Sequence, residues 1–139
     1  CDICQEVCPW NRHAPGSTEP TLQPRGGEAT PALAEVLQLD EQAFRRRFKG
    51  SPVLRAKRRG LLRSAALALG NRPHAPSFDA LAAALDDDDA VVRGAAAWSL
   101  GRWRHLGEGV GERAHEALVA REATETDADV RAEIERALG

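Results

Sequence analysis

Three thiols stand within the first eight residues, in the stretch CDICQEVCPWNR, at the spacing C-x₂-C-x₃-C-P. Cysteines this close bind soft metal ions or exchange disulfides, and the spacing separates the possibilities. Zinc accepts C-x₂-C but needs further ligands, and His13 is the only histidine nearby. A thioredoxin-like pair wants a strand ahead of its helix, which the chain does not supply. Unrelated surface cysteines would not cluster so densely. A ferredoxin-type iron–sulfur motif ends in Cys-Pro, where the proline turns the chain away after the last thiolate, and it fits the pattern best. Three thiolates do not complete a [4Fe–4S] cluster, so at least one more ligand is expected upstream. In two-cluster motifs the cysteine before proline serves the other cluster. On that pattern Cys1 and Cys4 hold one cluster and Cys8 reaches a second.

A second candidate for chemistry is a band of charge. Residues 45–72 hold ten basic side chains and no acidic one: Arg45, Arg46, Arg47, Lys49, Arg55, Lys57, Arg58, Arg59, Arg63 and Arg72. The flanks are acidic, which hides the band inside a net charge of −2. One local polyanion site accounts for this better than a solvated face. On a helix opening at Pro52, Arg55, Arg59 and Arg63 recur every four residues as one stripe, beside an apolar stripe of Leu54, Leu61, Leu62, Ala65 and Leu69. Arg58 falls on the apolar side of that wheel. Guanidinium groups suit phosphates because each offers a planar pair of donors. Nothing resembles a helix set to read duplex base edges, so RNA backbone is the expected ligand. Lys57 and Arg58 complete the candidate set.

The elements that position these groups read as helices. Ala and Leu dominate the apolar residues, and only 4% of the chain is aromatic, which favours helix over sheet. Residues 9–31 carry five of the eight prolines and form a linker. Asp40 caps EQAFRRRFK, Gly50 ends it, and Ser51-Pro52 opens VLRAKRRGLLRSAALAL. Then the sequence repeats: LLRSAALALG (61–70), VRGAAAWSLG (92–101) and VRAEIERALG (130–139) superimpose, aligning Gly70, Gly101 and Gly139. An amphipathic segment and an acidic turn precede each later copy, the plan of a helical solenoid. The three glycines are expected at left-handed helix ends. Arg93 and Arg131 are expected to pair with the aspartates of the turn before them. Trp98 is expected in the seam between helices and Trp10 over a cluster; both Trp98 and Trp103 are also candidates for stacking on bases. Asp86–Asp89 lacks the spacing of a calcium loop and reads as a capping turn. His74, His105 and His115 show no catalytic pairing.

CDICQEVCPWNR, then RFKGSPVLRAKRRGLLRSAALALGN, then HEAT-like repeats: in this order the segments closely resemble the C-terminal part of the epoxyqueuosine reductase family. The resemblance covers essentially the whole chain and is weakest in the linker at 13–31. It implies an oxidoreductase that uses cobalamin and two [4Fe–4S] clusters to finish queuosine at the tRNA wobble position. It makes Cys1, Cys4 and Cys8 the last three of eight cluster ligands, with the cobalamin pocket and catalytic acid elsewhere. The expected architecture is all-α: the tail of a di-cluster ferredoxin-type motif (1–12), a linker (13–31), and a HEAT-like α-solenoid with a basic tRNA-binding helix (32–139). The chain starts at Cys1 without any methionine, so it is expected to be part of a longer product and inactive alone. Implied partners are tRNA and an external electron donor, with no membrane, for a monomer in a reducing cytoplasm. Two rivals remain open at this point: a HEAT-like protein-interaction module with a zinc- or iron–sulfur-binding tail, and an iron–sulfur oxidoreductase that never touches nucleic acid.

Overall fold

The computed structural model describes residues 3–22, 30–107 and 109–139, which leaves Cys1 outside the described residues. The chain forms two compact units, Cys1–Thr30 and Pro31–Gly139. The first contains α1 (Ile3–Glu6) and short 3₁₀ turns at Asn11–His13 and Pro20–Leu22. The second contains α2 (Leu33–Leu37), α3 (Glu41–Arg47), α4 (Lys57–Asn71), α5 (Phe78–Ala83), α6 (Ala90–Trp103), α7 (Val110–Glu122) and α8 (Ala128–Leu138). No strand occurs among the described residues, in line with the helix-favouring composition.

Aspartates start the helices. Asp40 Oδ1 accepts the Ala43 N–H at 2.6 Å, Asp89 Oδ1 the Val91 N–H at 2.9 Å, and Asp127 Oδ1 the N–H groups of Asp129 and Val130. Each satisfies donors that the first helical turn leaves unpaired. The Asp86–Asp89 run is thus a capping turn.

The three repeat segments all lie on helices, α4, α6 and α8, which pack side by side in that order. Helices α2, α5 and α7 form the second layer, and α6 touches α4, α5, α7 and α8. Between the layers lie Leu62, Leu69, Leu81, Val92, Leu100, Trp103, Leu118 and Ile134, all fully buried. On α6 the buried Val92, Ala96, Leu100 and Trp103 recur at helical spacing, which fixes the face turned inward.

Of the aligned glycines, Gly139 ends its helix as expected and the other two do something else. Only Gly139 is left-handed, with φ +62°. Gly70 and Gly101 lie inside the last turns of α4 and α6, where they permit close approach. A Cβ on Gly70 would stand 2.7 Å from Ser99 Oγ; one on Gly101 would stand 2.7 Å from Ala137 Cβ and 3.0 Å from Ala137 Cα. Side chains of α6 meet the free carbonyls at the end of α4: Trp103 Nε1 donates to Leu69 O at 2.9 Å and Arg102 Nε to Gly70 O at 3.0 Å. Ser99 Oγ donates to Ala66 O at 2.8 Å, one turn earlier.

Arg93 does not pair with the aspartate side chains of its own turn. Its Nε and Nη2 donate to Glu125 Oε2 and Oε1 at 2.8 and 3.0 Å, while Nη1 reaches the backbone carbonyls of Asp87 and Asp88. The Asp87 and Asp89 carboxylates are occupied elsewhere, on Arg58 and on the start of α6. Arg131 likewise uses a carbonyl, donating from Nη2 to Glu125 O at 2.7 Å. Glu125 is completely buried, and Arg121 adds two further donors to Oε2 at 3.0 and 2.9 Å. Arg93 above all holds the Glu125 carboxyl down from its ordinary 4.5 to about 2; burial pushes the other way, and the Asp127 N–H and Arg121 help Arg93.

Two predictions follow from this packing. Within α6, Gly94→Ala should stabilise the protein by about 0.5–1 kcal/mol, since alanine is the better helix former and the new Cβ meets only Val130 Cγ2 at 4.0 Å. Gly101→Ala should destabilise it in spite of the same propensity gain, because Ala137 and its backbone stand in the way; urea denaturation of the two variants would show opposite signs. Glu125→Gln should cost about 3–5 kcal/mol by leaving Arg93 and Arg121 without their carboxylate. In the parent protein a depressed carboxyl stabilises fully above its unfolded value, so this contribution, about 3 kcal/mol, should be lost as pH falls from about 4.5 toward about 2. Glu125→Gln should flatten that acid limb.

Candidate cluster ligands and nucleic-acid interface

In the first unit, α1 carries Cys4, and the chain leaves the helix before Cys8. Val7 N–H still reaches Ile3 O at 2.9 Å, and Pro9 then starts a new turn in which Asn11 N–H donates to Cys8 O at 3.0 Å. Asn11 Nδ2 also donates to Gln5 O at 3.1 Å, tying the Cys-Pro-Trp-Asn segment back to α1. Cys4 is exposed and Cys8 half-buried, and both thiols are free. Ile3, Val7 and Trp10 are 60%, 68% and 87% exposed, an apolar set beside the thiols. Among the described residues no three His, Cys, Asp or Glu side chains converge as a metal site.

The basic band departs from the single helix read in the sequence. Ser51 Oγ accepts the Val53 N–H at 3.2 Å and Pro52 opens a turn as expected, but that turn is a 3₁₀ segment, Pro52–Ala56. Lys57, with φ 58° and ψ 164°, breaks it from α4. Such a conformation strains a residue that has a Cβ. Nothing in the sequence marks the break, because glycine is the residue that normally signals it. Arg59 and Arg63 therefore share one face of α4, while Arg55 projects from the preceding turn.

Arg58 leaves the candidate set for a structural reason. Its Nε donates to Leu39 O at 2.6 Å, and Nη1 and Nη2 grip the two oxygens of Asp87. Only 18% of its side chain is exposed, against 7% for Asp87, so the pair fastens the start of α4 to the acidic turn before α6. Burial pushes the Asp87 carboxyl up, but Arg58 and the Asp89 N–H bring it below its ordinary value.

Arg55, Lys57, Arg59 and Arg63 differ from Arg58. All four are exposed, and none makes an ion pair among the described residues. Lys57 and Arg59 border a hollow of about 640 Å³ floored in part by Phe44 and Leu54; its acids are already engaged, Glu41 with Arg45 at 2.7 Å and Asp89 with the start of α6. Open cations gathered beside a hollow are arranged to receive an anion.

Trp103 is the tryptophan that fills the seam, while Trp98 lies at its edge against Gly70 of α4. Trp103 is fully buried in the seam and stacks obliquely on Phe78 with ring centres 6.1 Å apart. Trp98 is only half-buried, and the Arg102 guanidinium lies 5.2 Å from the centre of its ring. The signal was present in the spacing, since 92, 96, 100 and 103 share a helical face that position 98 does not.

Comparison with known proteins agrees with this architecture. The HEAT-repeat family matches residues 52–139. The epoxyqueuosine reductase of Xanthomonas campestris is 38% identical over 104 residues, covering 72% of this chain and 28% of the relative. That of Pseudomonas aeruginosa is 40% identical over 103 residues, with 73% and 28% covered. That of Bacillus cereus is 32% identical over 139 residues, with 99% and 35% covered. The chain thus spans about a third of the length of these curated relatives. The crystal structure of an epoxyqueuosine reductase with an epoxyqueuosine-modified tRNA-Tyr stem loop superimposes with a TM-score of 0.82 at 28% identity, covering 99% of this chain and 36% of that one. Paired helices in two layers, joined by acidic turns and matched over residues 52–139, identify the chain as a member of the HEAT-repeat family.

Proposed function

We propose that this chain works within a longer protein as the C-terminal part of an epoxyqueuosine reductase, the enzyme that reduces epoxyqueuosine to queuosine at the tRNA wobble position. The observation that carries the RNA half of the reading is the contrast among cations. Arg58, Arg93 and Arg121 are committed to buried or half-buried carboxylates, whereas Arg55, Lys57, Arg59 and Arg63 have none among the described residues. Cations kept free of internal partners suit a ligand that brings its own negative charge, such as a tRNA backbone. The relative crystallised with a tRNA stem loop supports the same assignment.

Cys1, Cys4 and Cys8 are proposed as [4Fe–4S] ligands. The two described thiols fit that role: both are free, one is exposed, and neighbouring Ile3, Val7 and Trp10 offer apolar surface that would exclude water from a cluster. Clusters and cobalamin supply electron-transfer chemistry when bound, with the reducing equivalents coming from an external donor. The part assigned to this chain is ligation of the clusters and retention of the tRNA, in a monomeric protein of the cytoplasm. Among the described residues no helix is long and apolar enough to cross a membrane.

Two experiments on the full-length protein test these halves separately. Arg59→Ala and Arg63→Ala should each weaken binding of every substrate tRNA by a similar factor and lower the slope of log affinity against log salt by about 0.7–0.9 per lost contact. Arg58→Ala should instead lower thermal stability and leave the slope unchanged. An unaltered affinity and slope in the Arg59→Ala/Arg63→Ala double variant would overturn the RNA assignment in favour of a protein-interaction module. For the thiols, anaerobic purification should yield about eight irons per chain, and replacing Cys8 should damage a different cluster from replacing Cys4. Stoichiometric zinc without iron would show a zinc tail instead.

A further inference from the structure

We propose that Trp98 is a stacking platform for an unpaired RNA base, placed on the α6–α8 side of the same surface that carries Arg59 and Arg63. The proposal rests on the RNA reading above and extends it from backbone contacts to a base contact.

Trp98 separates two hollows. One, of about 690 Å³, lies between the ends of α6 and α8 and gathers Arg102, Arg104 and Arg136 against a single carboxylate, Glu133. Glu133 is already paired with Arg136 at 2.5 Å. Arg102 donates its Nε to Gly70 O and Arg104 an Nη1 to Ala137 O, which fixes both guanidiniums. Arg102 keeps both Nη groups without a partner among the described residues, and its guanidinium carbon lies over one face of the indole. With Arg102 over one face, on the side of this hollow, the indole keeps its opposite face for a base, and the guanidinium offers the adjacent phosphate a donor pair.

The other hollow, of about 730 Å³, joins Trp98 to Arg63. Its carboxylates, Asp127, Asp129 and Glu133, belong to α8 and its N-cap, while Arg63 belongs to α4. A phosphate is therefore received at the α4 rim, and a neutral base crosses toward Trp98. A strand running from Arg59 past Arg63 to Arg102 thus passes Trp98 on the way. Duplex RNA keeps its bases stacked inward and gains nothing from an aromatic platform, so the ligand is an unpaired nucleotide, as in a hairpin loop.

The test uses the full-length protein, a tRNA anticodon-type hairpin with an unpaired loop, and a fully paired RNA duplex of equal charge. Trp98→Leu keeps apolar bulk against Gly70 but removes the π-face. It should weaken hairpin binding by about 5- to 150-fold, leave the salt slope unchanged and leave duplex binding unaltered, with Trp98→Phe largely restoring affinity. Photocrosslinking the parent protein to a hairpin carrying 5-iodouridine in the loop should label the peptide that contains Trp98, a readout independent of how the variants fold. Hairpin binding undiminished in Trp98→Leu, or crosslinks confined to other peptides, would overturn the platform. If Arg63→Ala still lowered the salt slope, the backbone reading would survive that result. Loss of both effects would remove the two together.

Discussion

The buried pair of Arg93 and Glu125 holds the second unit in register. A carboxylate with no exposed surface is tolerated only if every lone pair finds a donor, and Glu125 receives them from Arg93, from Arg121 and from the N–H groups of Thr126 and Asp127. These donors come from α6, from α7 and from the turn into α8. One acid therefore joins three elements, while Arg93 also grips the carbonyls of the turn before its own helix. Apolar packing would tolerate small slides between helices; this geometry does not, because a shift that broke one bond would leave a charge buried and unpaired.

With the helices so fixed, the surface can be divided between cations that build the domain and cations that remain open. Arg58, Arg93, Arg102, Arg104, Arg121 and Arg131 all donate to carbonyls or carboxylates of the protein. The open set gathers in the first half of α4 and the turn before it, with the strained Lys57 at the junction, Arg55 on the 3₁₀ turn and Arg59 and Arg63 on the helix. The basic side chains of the second unit are thus two populations, and Arg58 is the member of the 45–72 band that joins the structural one.

Much of the fold was legible in advance, because repeats and caps are local. The copies at 61–70, 92–101 and 130–139 declare three equivalent helices, and Asp40, Ser51, Asp89 and Asp127 each precede a helical pattern. What escaped reading depends on distant partners. Arg93 is bonded to an acid 32 residues away, and Arg58 to one 29 residues away. Gly70 and Gly101 look like helix stops on the chain and prove to be points of contact, since the crowding comes from the next helix in the row. At the candidate site, the exposed cations of the band were visible as composition, the helical wheel already set Arg58 and Trp98 apart from their neighbours, and the break at Lys57 and the Asp87 partner of Arg58 were not visible.

The carbonyls at the end of α4 are met by Ser99, Arg102 and Trp103, side chains that lie roughly one repeat further along. The dependence has a direction, and the Arg104 contact to Ala137 at the end of α8 is the one that runs against it. On a ribosome the basic helix therefore emerges before the groups that finish its polar ends exist, and Arg93 emerges before the acid that neutralises it. Once α6 has been synthesised it can close on α4, whereas Arg93 keeps its charge uncompensated until Glu125 follows it, so the last pair of helices completes the polar interior rather than merely extending the row.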